Sequence, residues 1–125
     1  MVEVLFWVYL ANAVLLITHE IDSAYWKEWE LFRLPGGLTL FLLLHFPLLF
    51  LVMYGLVLVD RQTVAGLIIS LLLGLAGLFA FGIHTYFLRK GRDEFKLPIS
   101  LVILVATLVV SLVQITLTIL LFAGS

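Results

Sequence analysis

Residues 55–69, GLVLVDRQTVAGLII, carry four polar residues between two long apolar runs. Crossing a bilayer as a helix takes about 20 mostly apolar residues. The runs on either side, 38–59 and 64–88, both meet that length. Asp60, Arg61, Gln62 and Thr63 leave room only for a tight turn. The two runs are therefore expected to form an antiparallel hairpin of spanning helices. A backbone facing lipid must satisfy its own hydrogen bonds, which excludes open strands and irregular chain.

Working outward from the hairpin, two more spans appear, at 4–21 and 97–123. Pro98 suits the first turn of the last helix, where its missing N–H costs nothing. The connection 34–37, LPGG, is a strong helix break. The chain is expected to be all-α: a polytopic membrane protein of 125 residues in one domain. Its four transmembrane helices would form an antiparallel bundle, with an interfacial helical extension at about 22–33.

Composition agrees. The chain is 64% hydrophobic and 12% charged, with a mean hydropathy of +1.25. Soluble domains are about half apolar and about a quarter charged. A net charge of −1 gives no basic patch for nucleic acid. The absence of cysteine removes disulfides, thiolate metal sites and cysteine nucleophiles. Glu3 stands where a secretory signal would carry a basic residue, so the first span is read as a retained helix.

Orientation follows from the seven basic residues. Lys27, Arg33, Arg89, Lys90, Arg92 and Lys96 fall at one side, and Arg61 alone at the other. The positive-inside bias then places both termini outside, in what is expected to be a prokaryotic cytoplasmic membrane. Trp26 and Trp29 suit an inner aromatic belt, and Trp7 with Tyr9 an outer one.

Residues 15–32, LLITHEIDSAYWKEWELF, carry the candidate chemistry. If the first helix continues unbroken, Asn12, His19, Asp22, Trp26 and Glu30 share a face, with Ile21, Tyr25, Trp29 and Phe32 on another. Glu20, Lys27 and Glu28 then point elsewhere. Polar groups in a span face the bundle interior, because lipid cannot pair them. His19 lies near the inner end of its span. By helical rise, His45 lies roughly 10 Å below that same surface and His84 roughly 6 Å. All three histidines thus share one leaflet with the carboxylates.

Imidazoles with carboxylates suit zinc, iron, manganese or copper rather than calcium. The expected ligands are His19, Asp22, His45 and His84, with Glu20 and Glu30 as acid–base or supporting groups. HEIDS is not the zinc-protease helix H-E-x-x-H, since Ser23 takes the second histidine's place. Elsewhere, Gly66, Ser70, Gly74 and Gly77 would let helices approach closely. Thr107, Ser111, Gln114 and Thr118 line one face of the fourth span, with Gln114 expected to point inward.

Residues 18–37, THEIDSAYWKEWELFRLPGG, resemble a family of small prokaryotic integral membrane proteins of unknown function with an early His-Glu-x-Asp segment and later membrane histidines. They are also loosely similar to the HXXEE-motif membrane proteins. The HXXEE positions read His19, Glu20, Ile21, Asp22 and Ser23, so Asp and Ser replace the closing glutamates. The resemblance implies a compact helical membrane fold and draws attention to His19, Glu20 and Asp22.

Three functions compete. The first is a metal-dependent enzyme acting on a lipid or other apolar substrate near the inner surface. The second is a haem-binding electron carrier ligated by His45 and His84. The third is a noncatalytic membrane subunit or lipid-binding module. The bilayer is the expected partner in all three, and a homo-oligomer is compatible with each.

Overall fold

A computed structural model describes residues 1–92 and 96–124. The expected charged loop 89–96 therefore lies partly outside the described residues. Among the described residues five helices follow in order: α1 (Val2–Tyr25), α2 (Glu28–Leu31), α3 (Gly37–Asp60), α4 (Val64–Arg89) and α5 (Pro98–Ala123). All but α2 are long and apolar enough to cross a membrane. The chain is accordingly an all-α integral membrane protein. Helix ends fall within a residue or two of the expected spans, except that α1 runs on to Tyr25.

The hairpin turn has a definite construction. Thr63 N–H bonds the Leu58 carbonyl and Gln62 N–H bonds Val59, with Gln62 left-handed at φ 57°. This is the Schellman closure of a helix C-terminus. Thr63 Oγ1 then caps α4 by accepting from Gly66 N–H at 3.0 Å. Gly66 is required here: a Cβ would lie 2.6 Å from the Leu58 carbonyl carbon and oxygen. The α3 and α4 backbones cross in contact, as small residues permit.

Helix neighbours run α1–α3–α4–α5 and back to α1, with α1 and α4 also touching across the middle. Among the described residues, α3 and α5 do not meet. Leu5, Tyr9, Ala13, Leu16, Val52, Val59 and Leu73 form the apolar core. Large apolar side chains point outward, such as Phe46 at 76% and Phe50 at 72% exposure. A helix apolar all round is what a membrane span requires.

Tyr9 departs from expectation. It is fully buried, not at an outer belt, and its hydroxyl donates to the Val52 carbonyl at 2.6 Å. A buried phenol needs such a partner, and α3 supplies it. Trp7, by contrast, is exposed.

The middle of the bundle holds a polar network. Asn12 Nδ2 donates to Gln114 Oε1 and Ser111 Oγ at 2.9 and 3.2 Å. Gln114 Nε2 donates to the Ser70 carbonyl at 2.9 Å, and the Ser70 and Thr118 hydroxyls share a bond of 2.9 Å. Gln114 does point inward, and every member is buried.

Candidate functional site

The last turns of α1 place His19 and Ser23 on its buried stripe, at 3% and 0% exposure. This stripe continues Asn12 and Leu16 at helical spacing. It then stops, because α1 does not extend into the following segment. Lys27 adopts a left-handed conformation, φ 53° and ψ 57°, and a new short helix begins at Glu28. One residue at positive φ redirects the chain, so helical periodicity no longer relates Glu30 to His19, whereas Trp26, whose N–H bonds the Asp22 carbonyl, still follows α1. Ile21 and Tyr25 are 66% and 72% exposed, whereas Leu31 is buried.

The redirection turns Glu28 inward. One donor atom each from His19, Glu28 and His84 lies within 4.8 Å of the other two. His84 Nε2 is 3.5 Å from Glu28 Oε1. The His19 and His84 rings meet edge to face with centroids 4.7 Å apart. His84 is 1% exposed and Glu28 is half-buried. Phe32, whose ring centroid lies 6.2 Å from that of His84, and Phe87 beyond it flank the cluster.

Burial is the largest influence on the Glu28 carboxyl and pushes its pKa up. The adjacent His84 ring, the Ser23 hydroxyl and the charge on the two histidines outweigh it, so the net shift is downward. Glu28 therefore favours the anion, the form a metal needs.

The remaining expected residues sit around this centre. Asp22 Oδ1 accepts from Trp26 Nε1 at 2.9 Å, while its buried Oδ2 has no hydrogen-bond partner among the described residues. His45 Nδ1 donates to the Phe41 carbonyl at 2.6 Å, and its Nε2 lies 2.6 Å from Glu20 Oε2. Because a carbonyl only accepts, Nδ1 carries a hydrogen. The Nε2–Oε2 contact then holds one proton between imidazole and carboxyl. Glu30 is exposed and outside the three-donor group. The expected ligand set is thus divided: His19 and His84 converge with Glu28, while Asp22 and His45 engage Trp26 and Glu20.

Two cavities adjoin the site. One of about 260 Å³ is lined by His19, Glu20, Glu28 and His84 at its polar end and by apolar residues of α1, α3 and α4 elsewhere. A second of about 220 Å³ lies between α2 and α3, with Glu20, Glu28, Trp29 and His45 in its wall. His45 and His84, the axial pair a haem would need, line different cavities.

The donor set fits a transition metal. Zinc bonds histidine nitrogen at about 2.0–2.1 Å, which puts tetrahedral donors about 3.3 Å apart. The Glu28–His84 separation is already near that value, and the others lie within 4.8 Å. Two histidines and one carboxylate would supply three donors to a tetrahedral ion.

The chain belongs to a family of unknown function (DUF6713), matched over residues 5–121. No curated protein and no solved structure matches it.

Proposed function

For this member of DUF6713 we propose a metal-dependent membrane enzyme acting on a lipid or other apolar substrate. His19, His84 and Glu28 hold the ion. The observation that carries this reading is the convergence of their three donor atoms within 4.8 Å at the polar end of an otherwise apolar cavity. Zinc, iron or manganese suits the donor set. A bound ion would supply a Lewis acid or an activated water. Glu20 and His45, sharing a proton in the adjoining wall, supply an acid–base couple.

The site occupies the bundle end that also carries Lys27, Arg33, Arg89 and Lys90. By the positive-inside bias this end is cytoplasmic and both termini are outside. The prokaryotic membrane setting and the likeness to HXXEE proteins belong to the same reading; the first rests on the resemblance over residues 18–37, the second on His19, the one residue of that motif present here.

Elemental analysis of detergent-purified protein tests it, with the double variant His19→Ala, His84→Ala as control. Near-stoichiometric metal in the wild type, lost from the variant, is the expected result. A wild type that stays metal-free after metal is supplied would sink the enzyme reading in favour of a noncatalytic module.

A further inference from the structure

The two cavities share a wall. Glu20, Glu28 and Leu48 line both, so the carboxylates stand between two apolar spaces rather than at the blind end of one. Each cavity also opens on the outer face of the bundle. Phe79 and Leu72 line the first and are 68% and 55% exposed. Leu44 and Leu40 of α3 line the second and are 57% and 36% exposed. On a chain of spanning helices, that outer face meets hydrocarbon, so both mouths are reachable from within the bilayer.

The first cavity is long. Its α4 wall runs from Ile69 through Leu73, Ala76 and Ala80 to His84, one helical stripe. At helical rise this covers roughly 22 Å, more than half the bilayer's hydrocarbon thickness of about 30 Å. The second is shorter and flanked by Trp29, Phe32 and Phe41 beside the carboxylates. Water has few partners in either space away from the shared wall, and apolar cavities without polar partners stay dry. Hydrocarbon is the occupant that gains by entering both.

We infer that the substrate is an amphiphile with two hydrocarbon arms joined through one polar linkage, such as an ester or amide. The linkage lies at the Glu20–Glu28 wall, with one arm in each cavity. The role of the linkage rests on the metal reading above; the placement of the arms rests on the cavities. A single-chain amphiphile leaves one cavity without its occupant, and separate lipid tails would fill the two independently.

The test is a titration of the full chain in detergent, followed by native mass spectrometry, with metal content measured in every sample. The probes are a secondary amide bearing two alkyl chains and a primary amide bearing only the longer chain. Ala80→Trp fills the first cavity and Leu44→Trp the second. The expected result is about tenfold tighter binding of the two-chain probe, abolished by either variant at unchanged metal content.

Equal binding of both probes, or indifference to both variants at unchanged metal content, overturns the two-arm proposal and leaves the metal reading standing. A metal-free wild type that still prefers the two-chain probe overturns the metal reading and supports the two-arm placement. Two single-chain probes bound together as tightly as one two-chain probe mean independent tails, and overturn it.

Discussion

Two of the buried polar regions among the described residues are built to opposite rules. In the middle, Asn12, Ser70, Ser111, Gln114 and Thr118 bond one another across α1, α4 and α5. All are neutral amides or hydroxyls, and none lines either cavity at the site. At the α1–α4 end, His19, Glu20, Glu28, His45 and His84 are all titratable, and each lines at least one cavity. The first region spends its polarity on holding helices together. The second keeps ionisable donors beside open space, which packing alone does not call for.

That contrast can be broken most sharply at Glu28. Glu28→Ala is expected to weaken metal binding more than about tenfold, since even outer partners of a site are worth 10–100-fold. Isothermal titration with zinc would show it, and unchanged affinity would remove Glu28 from the ligand set. Substitutions in the middle network should leave that affinity untouched.

Next in size is Gly77→Leu. A Cβ at Gly77 collides with the Ser111 side chain, so the larger group forces α4 and α5 apart. Overpacking of this kind costs about 1–3 kcal/mol, to be read as a lowered thermal midpoint in detergent. Asn12→Ala should cost less. Hydrogen bonds between membrane helices average about 0.6 kcal/mol, and two donors' worth are lost here. A midpoint that moved as far as that of Gly77→Leu would mean the network does more than join helices. The smallest effect belongs to Glu30→Ala, expected to change neither metal content nor midpoint, because Glu30 is exposed. Loss of metal in that variant would return Glu30 to the site.

Much of this was readable from the residues. Four polar residues between apolar runs announced the hairpin, and the small residues of α4 announced close packing. Histidine depth put His19, His45 and His84 together at one end, and of these His19 and His84 meet. What escaped was the carboxylate. A helix continued past Tyr25 puts Glu30 on the His19 face, but Lys27 turns left-handed and brings Glu28 there instead. Nothing marks that turn locally, since lysine has no preference for positive φ and no glycine or proline stands nearby. The Glu20–His45 bond was equally silent, because it depends on the rotation of α1 against α3 rather than on spacing within either. Tyr9 escaped for a related reason: an aromatic near a helix end reads as interfacial until a buried carbonyl is seen to claim its hydroxyl.

The brief turn between α3 and α4 also bears on how the protein is made. Two helices closed by so short a link, with Gly66 against the Leu58 carbonyl, are set to enter the bilayer as a pair. Contacts close in sequence form ahead of distant ones. His19 is synthesised well before His84, and the three donors of the proposed site come together only once α4 has docked on α1. Metal capture would then act as a mark of maturity, withheld from chains whose insertion has stalled and conferred on those that have completed it.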